Sequence, residues 1–204
     1  MKVKVCGMTE VPNLNRVLEA KPDFIGFIFY DESSRLVTDF NVIGQDMGNA
    51  KKVGVFVNEN LNEVIRITAI HGLDYVQLHG DESSSYCQEL QTKQIKIVKA
   101  FSVDRHFDFK QLRLYKGLVD YFLFDTKGEN RGGNGVKFDW SILHQYQLEI
   151  PFFLSGGIER NDVEEIKSIN HPQLYAIDIN SRFEKLPGIK DVDSVTEFIK
   201  ELRK

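Results

Sequence analysis

Cysteine is scarce in this chain, with Cys6 and Cys87 the two thiols in 204 residues. That is too few for a disulfide framework, although counting alone leaves one bridge open. An apolar signal core is also lacking, since Met1-Lys2-Val3-Lys4 runs straight into a strand-like pattern, and no leader is expected. The expectation is a cytoplasmic protein in a reducing compartment. The longest apolar run, 24–30, falls far short of the roughly 18 residues that a membrane span requires. Nor does one sign of charge dominate. There are 26 Lys+Arg against 30 Asp+Glu, a net charge of −4, and no basic block, so the counterion-release footprint of a nucleic-acid binder is absent. A small anionic ligand stays compatible, because backbone amides bind anions whatever the net charge. Prolines number five, and no Pro- or Ser-rich linker, charge block or low-complexity tract marks a boundary. One domain over 1–204 is expected, long enough to bury roughly 70% of its unfolded surface without a staple.

What is present is a recurring unit. A short run rich in Val, Ile and Phe is followed by a polar or glycine-containing turn, and then by a stretch with helical periodicity. Eight such runs occur, at 3–6, 24–29, 53–57, 75–79, 95–101, 121–125, 152–155 and 175–179. Between them, Leu61, Val64, Ile65 and Thr68 fall on one helical face. The segment from Asn161 to Ile166 opens on a capping residue followed by acids, and 193–202 reads as a final amphipathic helix. Nearly continuous apolar strands need cover on both faces, as in a parallel sheet wrapped by helices. Eight alternations predict an α/β fold, a closed (β/α)8 barrel of the TIM type. About 200 residues is the short end for that fold, so some connecting helices must be reduced, and the stretch between Phe101 and Tyr121 has the weakest pattern. A doubly wound sheet is disfavoured because no Gly-rich fingerprint follows the first run.

In a barrel the chemistry sits where strands end. Those positions are Cys6, Tyr30 with Arg35, Asn58, His79, Asp125, Ser155-Gly156-Gly157 and Asn180-Ser181. Cys6 reads either as a small core hydrophobe or as a general base, and the latter requires its thiolate. Asp125 follows Phe122-Leu123-Phe124. It reads as the cap of a turn or, if that apolar surround disfavours its charge, as a protonated general acid. The glycines after the seventh run and the Asn180-Ser181-Arg182 turn after the eighth lie where barrels hold phosphate, although either alone is equally a plain turn. Gly132-Gly133-Asn134-Gly135 could fold over a ligand or simply be loose. Arg35 could clamp a carboxylate with its guanidinium fork or lie solvated. His79 has no second histidine at ligand spacing, so no metal site is expected. Cys87, His71, His106, His144 and His171 read as packing or surface residues.

Taken in order, these motifs resemble the phosphoribosylanthranilate isomerase family. The likeness is carried by Lys4-Val5-Cys6-Gly7-Met8-Thr9, Gly26-Phe27-Ile28-Phe29, Ser33-Ser34-Arg35, Val76-Gln77-Leu78-His79-Gly80, Phe124-Asp125-Thr126, Leu154-Ser155-Gly156-Gly157-Ile158 and Pro187-Gly188-Ile189-Lys190-Asp191. It spans nearly the whole chain. The resemblance implies an Amadori rearrangement in tryptophan biosynthesis, with Asp125 as general acid and Cys6 as general base. It further implies Arg35 at the anthranilate end of the substrate, and backbone amides around Gly156, Gly157, Asn180 and Ser181 on its phosphate. No metal or organic cofactor is implied. The implied partner is a phosphorylated small molecule, with no nucleic acid and no membrane, and the chain itself is a monomer or a homodimer. Two positions depart from the family pattern: Ser34 stands where proline is usual, and Asn134 where threonine or serine is usual. The alternatives are a related aminoaldose isomerase, which resembles a two-aspartate design rather than Cys6 with Asp125, and a non-catalytic sugar-phosphate-binding barrel.

Overall fold

Strands of Val, Ile and Phe with no solvated face can rest only in a sheet covered on both sides. The computed structural model describes residues 1–126 and 137–204, and in it eight such strands close into one parallel barrel in sequence order. They are β1 (Lys2–Val5), β2 (Phe24–Phe29), β3 (Lys51–Phe56), β4 (Tyr75–Leu78), β5 (Ile97–Val103), β6 (Tyr121–Thr126), β7 (Phe152–Leu154) and β8 (Leu174–Ile179). Closure sets β1 beside β8, with Lys4 opposite Asp178 and Val5 opposite Ile179. This is the barrel that the eight runs predict. β5 starts two residues later than the apolar run does, because Ile95 packs against the outer core ahead of the strand.

The helices are α1 (Val11–Glu19), α2 (Leu61–His71), α3 (Ser84–Thr92), α4 (Val163–Ser168) and α5 (Val192–Leu202). Asn60 caps α2 through the Asn62 N–H, and Gly72 ends it at φ +59°, a left-handed position that glycine occupies at no steric cost. On α5 the apolar stripe Val195, Phe198, Ile199 and Leu202 is buried, as the periodicity predicts. Three connections instead carry a 3₁₀ segment among the described residues: Phe40–Val42, Phe109–Tyr115 and Trp140–Gln145. Each opens on an aspartate, Asp39, Asp108 or Asp139, whose carboxylate accepts the N–H two residues on at 2.9–3.0 Å. That local bond tightens the chain into a turn. An aromatic ring follows each aspartate, and Phe109 and Trp140 are buried against the barrel wall where a helix would otherwise pack. The indistinct pattern after Phe101 is therefore a real reduction of the helical layer.

Two cores result. One fills the space between the strands and their outer covering. The other lies inside the barrel, where Phe24, Val53, Leu123, Phe153 and Ala176 pack with Tyr75, Tyr121 and Tyr175. The Phe24 and Phe153 rings lie 5.0 Å apart, and those of Tyr121 and Tyr175 4.9 Å. Beneath that plug, Asp23 accepts Lys2 at 2.7 Å and Arg203 at 2.6 Å, joining the first strand to the end of α5. Toward the strands' C-terminal ends the buried residues become polar and include Lys4, Gln77, Asp125 and Asp178.

A buried charged pair lies outside the barrel. Lys99, between the inward-facing Val98 and Ala100, points the other way, and its Nζ sits 3.0 Å from Glu82 Oε2 with both side chains buried. Glu82 also accepts the N–H groups of Asn58 at 2.7 Å and Gly80 at 3.0 Å, so one carboxylate ties the loops after β3 and β4 together. Leaving Lys99 unpaired in that dry site should be costly. Glu82→Gln is expected to lower unfolding free energy by about 3 kcal/mol in urea titrations, and the double variant Glu82→Gln/Lys99→Met to recover part of that loss.

Candidate active site

Cys6 follows β1 and remains tied to the sheet through its N–H to the Ile179 carbonyl at 3.0 Å. The chain then turns at Gly7, φ +75°, where a Cβ would lie 2.9 Å from both Arg35 Cδ and Asn180 Oδ1. Glycine is what lets these three segments meet. Gly26 is equally constrained on the other side, since a Cβ there would lie 2.7 Å from Cys6 Sγ and 3.1 Å from Lys4 Nζ. Cys6 is 4% exposed. Burial pushes its thiol up, while the Lys4 and Lys190 ammonium groups pull it down and Asp178 adds to the rise.

Lys4 is fully buried, with Nζ 2.9 Å from Asp178 Oδ2. Burial works against its charge, but Asp178 and Cys6 outweigh it and hold the ammonium above its usual range. Next to it lies a second charged group. The Lys190 Nζ is 2.6 Å from Glu184 Oε1 and 2.7 Å from Asn180 Oδ1. Burial brings this ammonium down to about 8, against the pull of Glu184 and Cys6. Burial likewise opposes charge on Glu184, yet Arg35 and Lys190 hold its carboxyl below the ordinary range.

Asp125 lies one residue from the end of β6 and is buried. Its Oδ1 accepts the Thr126 N–H at 2.8 Å, and its Oδ2 lies 3.2 Å from His79 Nε2. The Gln77 amide nitrogen is 2.8 Å from His79 Nδ1. With that amide donating to Nδ1, the ring's Nε2 hydrogen is directed to Asp125. The apolar surround expected from Phe122 and Phe124 is corrected by the strand's alternation. Those two rings belong to the outer core, whereas Asp125 shares the inner face with Leu123 and meets polar partners there.

Gly156 and Gly157 follow β7 at φ +94° and +64°. Neither N–H meets a protein acceptor among the described residues. After β8, Ser181–Phe183 forms a 3₁₀ turn whose opening N–H groups lack partners within the turn. The Asn180 side chain points away from this loop, toward Lys190.

The remaining strand-end residues divide clearly. The guanidinium of Arg35, which the sequence offers as a free clamp, is forked onto Glu184, with Nε 2.9 Å and Nη2 2.7 Å from Oε2. Its Nη1 is 3.4 Å from Ser34 Oγ. Asn58 is structural: at φ +51° its Oδ1 accepts the Asp81 N–H at 2.7 Å. The Tyr30 hydroxyl donates to the exposed Glu32 at 2.6 Å. His79 belongs with Asp125. Cys87 is buried on α3, where burial pushes its thiol up to about 12, and neither cysteine is bridged. The Gly132-Gly133-Asn134-Gly135 cluster lies outside the described residues. Lys4, Gln77, Asp178, Glu184 and Lys190 are the site residues that the strand-end search passes over. For Lys4, Gln77 and Asp178 the signal was a polar side chain facing inward on an otherwise apolar strand, and it needs the barrel to be read; Glu184 and Lys190 lie beyond β8, on no barrel strand. Among the described residues no group of His, Cys, Asp and Glu is arranged to hold a metal ion, and no helix is long and apolar enough to cross a membrane.

A thiol and a carboxyl group stand at the inner mouth of a closed parallel barrel, the C-terminal face where (β/α)8 enzymes carry their chemistry. A sequence model described as N-(5'phosphoribosyl)anthranilate (PRA) isomerase matches residues 3–201, and the chain belongs to that family. It is 44% identical over 206 residues to the N-(5'-phosphoribosyl)anthranilate isomerase of Parabacteroides distasonis, covering 99% of this chain and 93% of that protein. It is similar to the crystal structure of phosphoribosyl anthranilate isomerase from Thermotoga maritima, with TM-score 0.88, 31% identity and coverage of 100% of this chain and 98% of that one. A further phosphoribosyl anthranilate isomerase structure, in complex with reduced 1-(o-carboxyphenylamino)-1-deoxyribulose 5-phosphate, matches with TM-score 0.84 and 29% identity over 100% of this chain and 98% of that one.

Gly156 offers a direct test of this geometry. A Cβ there would lie 2.8 Å from Asp125 Oδ1 and 2.5 Å from the Thr126 nitrogen, at a backbone angle that L residues avoid. Gly156→Ala should therefore destabilise the fold by about 2 kcal/mol and displace Asp125. The expected result is a lowered melting temperature together with a fall in kcat of roughly tenfold or more.

Proposed function

We infer that this protein converts N-(5-phosphoribosyl)anthranilate to 1-(2-carboxyphenylamino)-1-deoxyribulose 5-phosphate, the Amadori rearrangement of tryptophan biosynthesis, with Asp125 as acid and Cys6 as base. Family membership supports the substrate, and so does the related structure that holds a reduced form of the product. The observation that carries the residue roles is that Cys6 follows β1 and Asp125 stands near the end of β6, both buried at the barrel mouth, the thiol beside Lys4 and the carboxyl beside His79.

The chemistry divides into two proton transfers. Asp125 gives a proton to the ribose ring oxygen, the bond from that oxygen to C1 breaks, and the amine nitrogen's lone pair forms a Schiff base. Cys6 as thiolate then removes the C2 proton. The electron pair flows toward nitrogen to give an enolamine, which tautomerises to the ketone. His79, in contact with Asp125 Oδ2, is placed to exchange a proton with the acid between turnovers. The Gly156 and Gly157 amides with the Asn180-Ser181 turn would hold the phosphate, fixing the reacting carbons between the two groups. Arg35 would meet the anthranilate carboxylate through Nη1, the arm that Glu184 leaves out. The protein's own groups suffice for both transfers. A cytoplasmic location fits a chain of this kind, and its assembly as monomer or homodimer is read by sedimentation.

The test follows loss of anthranilate fluorescence from freshly generated substrate. Cys6→Ala and Asp125→Ala are each expected to lower kcat by about 10³-fold or more while keeping cooperative thermal unfolding close to the parent's. Comparable activity in either variant would remove that residue from the reaction. An inert parent protein that still binds the reduced product would favour a sugar-phosphate-binding barrel.

A further inference from the structure

A buried thiol is a poor base, and the proposed reaction asks Cys6 to be one. Around it stand three cations and two carboxylates: Lys4 with Asp178, and Lys190 and Arg35 sharing Glu184. One positive charge is left over in a region that excludes water, and an ionised Cys6 would neutralise it. The cations are not equivalent. Arg35 is forked onto Glu184, and Lys190 Nζ is engaged by both Glu184 Oε1 and Asn180 Oδ1. Lys4 Nζ has one carboxylate oxygen, at 2.9 Å, and it lies beside the Cys6 sulfur. Both atoms sit over Gly26, in space that a Cβ there would fill.

We propose that Lys4, fixed by Asp178 across the seam where the barrel closes, is the positioning residue that makes Cys6 a usable base by pairing with its thiolate. The proton lost from sulfur leaves to water and the electron pair stays on Sγ, ready for the substrate's C2 proton. Asp178 plays two opposed parts. It holds the lysine in place, yet its own charge works against a second anion nearby. The other charged or titratable groups facing this cluster are Lys190 beside Cys6, and Asp125 and His79 beside Asp178.

This inference rests on Cys6 being the base, so its test reads the thiol itself as well as turnover. The rate of Cys6 carbamidomethylation by iodoacetamide, at a fixed pH of about 8 and followed by mass spectrometry of the Cys6 peptide, reports the thiolate. Lys4→Met is expected to slow it about tenfold, the loss of thiolate being partly offset by greater intrinsic nucleophilicity. Asp178→Asn is expected to speed it severalfold. A change in access or packing would move both variants in the same direction, and that result, or an unchanged rate in Lys4→Met, overturns the proposal. If Lys4→Met does not fold, because it strands the Asp178 charge, Lys4→Met/Asp178→Asn compared with Asp178→Asn alone makes the same contrast without an unpaired carboxylate. With Cys6 as base, kcat falls in step with the alkylation rate while KM stays near the parent's. Slowed alkylation with full kcat would sink the role of Cys6 and support the Lys4–Cys6 pairing.

Discussion

The pairing of Lys4 with Asp178 across the closing seam is the constraint on which the mouth of this barrel depends. The two residues are direct register partners on β1 and β8, so the register that closes the sheet is also the one that brings cation and anion together. A slip of one residue would turn each strand's side chains to the opposite face. Val3 and Val5 would then enter the barrel, and Lys4 would be driven into the outer core. A buried pair of this kind adds little net stability, because desolvation offsets much of its attraction. Its value here is geometric: it states in charge which register is correct, in a strand whose apolar residues alone would accept either.

The interior is accordingly divided along its axis. Aromatic rings plug the N-terminal half, where Phe24, Phe153 and three tyrosines pack together. Above them polar residues are held by specific partners. Asp125 is bounded by His79, Thr126 and Gly156, and Cys6 by Lys4 and Gly26. The glycines matter in both cases because they are walls, and their lack of a side chain sets how closely a loop approaches the reacting group. The strand-end loops and the buried thiol and carboxyl group are thereby parts of one packed unit.

Much of this was legible before the fold. The eight apolar runs locate all eight strands, and the stripes beginning at Leu61 and ending at Leu202 locate α2 and α5, because burial on a fixed face imposes a period. Cys6, His79 and Asp125 were visible as strand-end residues of unusual chemistry. Lys4 was not, since Lys2-Val3-Lys4-Val5 alternates like a strand with one face in water. In a barrel that second face is the interior, and only closure makes this apparent. Glu184 was hidden for a different reason: its partner Arg35 lies 149 residues away in sequence, and local pattern holds no trace of such a contact. The three Asp-aromatic turns could have been read, as they repeat one local device, but their lack of helical period made them look like noise.

The ion pairs of Asp23 with Lys2 and Arg203 carry a last consequence. They gather the first strand and the last helix at the floor of the barrel, a full strand length from Cys6 and Asp125. Anything tethered at either end would hang below that floor and leave the substrate entrance clear. A short linker between the two ends should likewise permit new termini to be opened in an outer loop while Cys6, Asp125 and their supports stay in place. The architecture therefore suits joining to a neighbouring catalytic unit, because the entrance and the points of attachment occupy opposite poles.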